Sequence, residues 1–254
     1  MTLCFLGTGT SQGIPVIGCQ EPVCHSLDSK DKRLRSSVWM YDTNFSVVID
    51  CGPDFRQQML QSGCTKIDGI LFTHEHADHT AGLDDIRPIF FTQGEINIYA
   101  ENRVLANLEK RFDYIFDDEN KYPGAPSVLK NSIDENTIFS IKDKNIQPIR
   151  AIHANLPILG YRIGDISYFT DVKTISKVEI EKIKGSKILI INALQNHEHH
   201  SHFNLQEALE FIHLVQPQYA YLTHISHHLG FHETVQKQLP ENVFLAYDNL
   251  QITI

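Results

Sequence analysis

Gly69-Ile70-Leu71-Phe72-Thr73-His74-Glu75-His76-Ala77-Asp78-His79 is the stretch on which the fold turns. An apolar, strand-forming run leads directly into three imidazoles and a carboxylate, so four potential ligands crowd one strand-to-helix turn. Such density needs a cation. Neutral imidazole suits Zn, Mn or Fe, and the carboxylate adds charge and hard-oxygen character. Once donors from elsewhere join, four ligands within six residues exceed what a single tetrahedral ion uses, and two ions are implied. The alternative is a polar loop whose histidines are coincidental.

The remaining donors must come from distant segments. His153 closes IQPIRAIH, Asp171 closes ISYFTD and His224 closes AYLTH, each where a strand stops and a loop begins. Binding groups in α/β folds gather at such edges. Taken singly, each also reads as an ordinary turn residue.

Outward from these segments, short β-rich runs recur: Thr2 to Leu6, Phe45 to Ile49, Ile70 to Thr73, Ile96 to Tyr99, Ile146 to Ile152, Leu159 to Ile163, Ile166 to Thr170, Lys187 to Ile191, Tyr219 to Thr223 and Val243 to Ala246. Helical patterns sit between several of them. One starts at Gly52-Pro53 and ends at Gly63, and another opens on Asn204 with Glu207 three residues later, a capping-box signal. Interleaved strands and helices predict an α/β architecture. Residues 112–133, containing FDYIFDDENKYPGAPSV, predict a surface excursion, either a plain loop or a cover over the substrate. No repeat or low-complexity linker divides the chain, so residues 1–254 read as a single domain.

The 254 residues carry 22 Lys+Arg against 31 Asp+Glu, a net charge of −9, which disfavours a large nucleic-acid footprint. No apolar run is long enough for a membrane span, and the first residues lack a basic start and cleavage site, so a cytoplasmic protein is expected. Five cysteines, an odd and scattered set, indicate reduced thiols or metal ligands. Nine of the 14 histidines fall after residue 190, a placement that points to chemistry in the second half.

The order HxHxDH, then a distant His, an Asp and a last His resembles the metallo-β-lactamase superfamily over nearly the whole chain. The resemblance implies a four-layer αββα sandwich with a dinuclear site at one edge of its two sheets. It assigns His74, His76 and His153 to one divalent ion, Asp78, His79 and His224 to the other, and Asp171 as the bridge. Asp50, in the VVIDCG turn, matches an aspartate that supports the ligands from behind; a simple turn residue is the alternative.

Finer marks resemble the phosphodiesterase branch that includes phosphoribosyl cyclic phosphate diesterase: GTGTSQGIPVIGC at residues 7–19, GLDDIRP at 82–88, SHFNLQEAL at 201–209 and LTHISHH at 222–228. The implied chemistry is hydrolysis of a small or cyclic phosphodiester by a hydroxide shared between two ions, Zn or Mn or else Fe. His202 would protonate the leaving oxygen, since imidazole exchanges protons near neutral pH. His197, His199 and His200 read as a polar loop beside it. Arg87 matches an arginine that pairs with a phosphate oxygen, with a surface ion pair as the alternative. The glycines of residues 7–13 lack the Lys-Ser/Thr pair of a nucleotide loop and read as structural.

The same branch carries a structural zinc on three cysteines and a late histidine. Cys19, Cys24 and His227 match it, but Glu21 replaces the middle cysteine. Carboxylate is an acceptable though harder zinc ligand; His25 is a substitute donor, and buried free thiols are the alternative. Rival functions are tRNA 3′-end processing, a thioester hydrolase of the glyoxalase type, and a non-catalytic metal or ligand sensor. The expected partner is a small phosphodiester, with no membrane and no nucleic acid, and a homodimer is compatible with it.

Overall fold

In β1 (Thr2–Gly7), Leu3 and Phe5 enter one core and Cys4 and Leu6 another, and all four are buried. Only a sheet covered on both faces accommodates that pattern. The computed structural model describes residues 1–117 and 121–254. After β1 come β2 (Ser37–Tyr41), β3 (Ser46–Ile49), α1 (Phe55–Ser62), β4 (Gly69–Leu71), α2 (Ala77–Thr80), α3 (Arg87–Gln93), β5 (Ile96–Ala100), α4 (Asn102–Arg111), α5 (Asp113–Phe116) and β6 (Val128–Ser132). The second half runs β7 (Phe139–Ile141), β8 (Lys144–His153), β9 (Leu156–Ile163), β10 (Ile166–Tyr168), α6 (Lys177–Ile183), β11 (Ile188–Asn192), α7 (Leu205–Val215), β12 (Tyr219–Thr223), α8 (His232–Gln236), β13 (Val243–Leu245) and β14 (Gln251–Thr253).

The strands form two seven-stranded sheets, β14-β1-β2-β3-β4-β5-β6 and β13-β12-β11-β10-β9-β8-β7. In the first, pairing is antiparallel from β14 to β3 and parallel from β3 to β6; in the second it is antiparallel from β7 to β10 and parallel from β10 to β13. Three apolar cores separate four layers. Leu3, Phe5, Val47, Ile49, Tyr161 and Ile190 fill the space between the sheets. Val48, Ile70 and Ile98 pack outward on Phe55, Val104 and Leu108 of α1 and α4. Leu189, Ile191 and Leu222 pack outward on Ile183, Phe211 and Ile212 of α6 and α7. This is the expected αββα sandwich.

The two helix expectations hold. Gly63 caps α1 with φ of 71°, a left-handed conformation that glycine adopts without steric cost. Asn204 accepts from the Glu207 amide at 2.8 Å while Glu207 accepts from the Asn204 amide at 2.9 Å, closing the box before α7.

The two ends of the stretch 112–133 are more regular than its composition predicts. Its start is a helical turn with Ile115 buried, and its end is β6, paired in parallel with β5. Of its acidic residues, Asp118 and Glu119 lie outside the described residues. Four strands carried no clear sequence signal. β6, β7 and β14 are short pieces near the sheet edges with half-exposed polar positions, and β2 is held by its pairing with β1 and β3. Among the described residues no helix is long and apolar enough to cross a membrane.

Two inter-sheet bonds place the decisive turn. The Leu159 amide of β9 donates to the Thr73 carbonyl at 3.0 Å, and the buried Tyr161 hydroxyl donates to the Phe72 carbonyl at 2.5 Å. The end of β4 is thus tied across the sandwich just before His74.

Candidate metal centre

Each candidate donor, like Asp50 behind them, leaves the end of a strand along one edge. Asp50 follows β3, His74 to His79 follow β4, His153 ends β8, Asp171 follows β10 and His224 follows β12. Asp50, Asp171 and His224 have φ of 65°, 60° and 54°, left-handed values uncommon away from glycine. That backbone turns the side chains off the strand axis and into the edge.

Asp171 lies at the centre. Its Oδ2 is 3.1 Å from His79 Nε2, and its Oδ1 is 3.0 Å from His202 Nε2 and 3.2 Å from His224 Nε2. Asp78 Oδ2 is also 3.1 Å from His79 Nε2. Donor atoms of Asp78, His79, Asp171 and His224 all lie within 4.8 Å of one another, and those of His153, Asp171 and His202 form a second such group. His74 and His76 stand beside these, with ring centroids 5.8 and 5.2 Å from that of His153. The second group differs from the expected set in drawing in His202 and in leaving out His74 and His76, whose Nε2 and Nδ1 respectively lie 3.0 Å from each other.

The far nitrogens are already taken. His79 Nδ1 is 2.7 Å from Asp50, His153 Nδ1 donates to the Ser201 carbonyl at 2.9 Å, and Thr73 Oγ1 is 2.9 Å from His74 Nδ1. Ser36 and Thr170 hydroxyls each lie 3.1 Å from His224 Nδ1. Partners of this kind fix ring orientation and direct Nε2 at a metal. Asp50 also accepts from the Thr73 amide and hydroxyl, both at 2.8 Å, so it is a buried brace and not a simple turn residue.

The protonation states suit a cation. Burial holds His74 well below the usual imidazole range and His224 down to about 3, leaving both neutral. Burial opposes charge on Asp78 and Asp171 as well, but His79 beside the first and His224 and His79 beside the second hold both carboxyls below their usual range. His79 is driven upward: burial disfavours its charge, yet Asp78, Asp171 and Asp50 outweigh that. Its buried Nε2 has no hydrogen-bond partner although two carboxylates flank it. A divalent cation seated there replaces the proton and satisfies the orphaned atom, so the residues present fit a metal.

His202 is buried, with its Nδ1 2.9 Å from Ser201 Oγ and 3.2 Å from His199 Nδ1. Its backbone is stapled beside Asp171, because the Phe203 amide donates to the Val172 carbonyl at 2.7 Å. Composition offered no sign of several supporting groups. Asn192 accepts from the Val172 amide at 2.7 Å and so fixes the turn after Asp171, and Thr10 Oγ1 lies 3.1 Å from His224 Nε2. Thr10 sits within the GTGTS loop, between the glycines Gly9 and Gly13. A Cβ on Gly7 would stand 2.0 Å from the Arg35 carbonyl, which explains the glycine that opens the loop.

Other expected residues lie apart from this edge. The Arg87 guanidinium is 2.7 Å from Asp84 and donates to the Tyr122 hydroxyl at 2.6 Å, the ion-pair alternative. Cys24 and Cys19 thiols are neighbours, with Glu21 donating its amide to Cys19 Sγ at 3.3 Å. His227 keeps a buried Nδ1 without a hydrogen-bond partner. Among the described residues these four do not draw their donor atoms within 4.8 Å of one another. His25 is exposed.

Residues 46–225 match the domain family described as a beta-lactamase superfamily domain. The chain belongs to the metallo-β-lactamase superfamily. A solved superfamily member described as a new diphosphatase from the PhnP family superimposes with a TM-score of 0.92 at 36% identity, covering 100% of this chain and 97% of that one. An octanoyltransferase of Porphyromonas gingivalis is 40% identical over 256 residues, covering 100% of this chain and 52% of the relative. A ribonuclease Z of Bacillus licheniformis is 30% identical over 170 residues, covering 65% of this chain and 49% of the relative. The chain thus spans about half the length of these two curated relatives. Its candidate metal cluster lies at the sheet edge.

One prediction tests how tightly this superfamily edge is built. A Cβ on Gly52 would stand 2.1 Å from the backbone carbonyl of Asp78, which cannot swing aside as a side chain does. Gly52→Ala is therefore expected to lose about 2 kcal/mol or more of stability and to weaken metal uptake together, as read by melting and by metal analysis. A variant with wild-type melting and metal content contradicts this packing.

Proposed function

We propose that the chain is a dinuclear metal-dependent phosphodiesterase acting on a small or cyclic phosphodiester. His74, His76 and His153 hold one divalent ion, Asp78, His79 and His224 hold the other, and Asp171 lies between them. The observation that carries this reading is the divided Asp171 carboxylate, one oxygen toward His79 and the other toward His202 and His224, beside the orphaned His79 Nε2. Zn, Mn or Fe at such a site supplies Lewis-acid polarisation of a phosphoryl oxygen and a nucleophile drawn from water at neutral pH.

The chain's own residues do the rest. Ser201 Oγ at Nδ1 and Asp171 Oδ1 at Nε2 orient the His202 ring, and the Nε2 proton, which rests against Asp171 in this structure, would have to pass from that carboxylate to the leaving alkoxide. Asp50 keeps the His79 proton on Nδ1 and its lone pair inward. The net charge of −9, with Asp113 and Asp117 in the excursion, favours a small substrate over a polynucleotide. Similarity to a diphosphatase and to a ribonuclease Z supports phosphorus chemistry.

The test is a turnover screen of metal-loaded protein against ribose cyclic phosphates, cyclic nucleotides, a chromogenic diester, a diphosphate, precursor tRNA, and glutathione and octanoyl thioesters. Cyclic phosphates or small diesters are expected to be turned over best. Preference for precursor tRNA or for thioesters overturns the proposal in favour of the processing or thioesterase alternatives.

A structural zinc on Cys19, Glu21, Cys24 and His227 completes the reading. Binding there gathers two thiolates, a carboxylate and an imidazole around the unpartnered His227 Nδ1. Glu21→Cys is expected to tighten this ion and raise the melting temperature by roughly 3 °C or more without changing the catalytic pair. Anomalous diffraction at the zinc edge checks it; no peak among the four residues in crystals grown with zinc leaves two ions only.

A further inference from the structure

Helix α4 grips the decisive turn at both of its ends. Its apolar side, Val104, Leu105 and Leu108, is buried against the first sheet, so the helix is a rigid base. From its first turn Arg103 makes an ion pair with Glu75, donates to the Pro157 carbonyl at 2.6 Å and lies 3.5 Å from Glu101. From its last turn Arg111 donates to Thr80 Oγ1 at 2.7 Å and to the Glu75 carbonyl at 3.3 Å. Thr80 in turn donates to the His76 carbonyl at 2.8 Å.

Glu75 stands between His74 and His76, and Pro157 pairs with Ile152 one register step from the pair His153–Leu156. A single guanidinium therefore spans the two segments that bring together the ligands proposed for one ion. The link continues into the second sheet, since Glu101 accepts from Arg150 Nη1 at 2.8 Å and the Arg150 amide donates to Glu179 of α6 at 2.7 Å.

We propose that Arg103 is a positioning residue that sets the spacing between the His74/His76 turn and His153, and so the affinity of that ion alone. The inference rests on the ligand assignment made above. Its chemistry requires arginine, because a planar fork addresses a carboxylate and a carbonyl together whereas a lysine ammonium is a point charge. The Arg103 side chain is 36% exposed, and ion pairs at that exposure add little to global stability. Its effect must then be sought in metal binding.

The experiment is Co(II) titration of the chelator-stripped full chain, followed by visible absorption, for wild type, R103M, R103K and E75Q. Wild type is expected to take two ions at the sheet edge, counted apart from any ion on Cys19, Glu21, Cys24 and His227, whose thiolate-to-cobalt absorption in the near ultraviolet distinguishes it. R103M and E75Q keep one at wild-type affinity and bind the other about 10 to 100-fold more weakly, with only that component's spectrum altered. R103K falls between wild type and R103M, and R103M/E75Q is no weaker than either single variant. Metal-free melting temperatures stay within about 3 °C of wild type. Unchanged affinities in folded R103M, or equal weakening of both ions, overturns the proposal, and E75Q decides the matter should R103M not fold. A wild-type chain that binds fewer than two ions at the edge, the thiolate-bound ion left out of the count, overturns the ligand assignment itself, a failure visible before any variant is made.

Discussion

Asp78→Ala is expected to lose metal and to lower diester turnover by roughly four orders of magnitude or more, the scale on which single essential groups act. The carboxylate is one of four donors drawn within 4.8 Å, and it stands 3.1 Å from the orphaned His79 Nε2. It contributes little to packing, since its side chain keeps 13% exposure on the open side while His79 and Asp171 are sealed. The variant should therefore stay folded, which circular dichroism and melting verify, while inductively coupled plasma analysis reports fewer ions per chain. A folded Asp78→Ala protein with two ions and full turnover removes the dinuclear proposal.

His202→Ala is expected to retain both ions and to lose about two to four orders of magnitude in turnover, the usual weight of a positioned general acid. The loss should shrink for substrates with good leaving groups, which need little protonation, so a series of aryl phosphodiesters gives a steeper leaving-group dependence in the variant. The geometry supplies the competing outcome. His202 Nε2 lies 3.0 Å from Asp171 and shares a ligand-sized cluster with His153. Metal lost from the variant in proportion to activity identifies His202 as a ligand and ends its assignment as the acid.

Much of this site is legible along the chain because its parts are local. The turn from His74 to His79 announces itself by density, and His153, Asp171 and His224 by closing apolar strands. The capping box at Asn204 and Glu207 locates the helix that follows His202. The braces are not legible. Ser36, Thr170 and Thr10 are ordinary hydroxyls until the fold sets them around His224, and Asn192 is one more strand-end polar residue until it binds both backbone groups of Val172. His199 falls in a polar loop by composition but contacts His202 at 3.2 Å. The contacts of Arg87 with Asp84 and Tyr122 were not legible either, since its motif position left a phosphate contact and a surface ion pair open.

By itself the sequence determined the α/β class, the strand ends that carry the candidate donors and the chemistry of those donors, because periodicity, capping and residue type act over a few neighbours. Only the tertiary structure decided that Asp171 divides its oxygens among His79, His202 and His224, that β6 completes the first sheet from a stretch resembling a loop, and that Arg103 joins the turn bearing Glu75 to the strand bearing Pro157. Those features are contacts between residues tens of positions apart, and their geometry comes from the packing of two sheets against one another and not from any local preference.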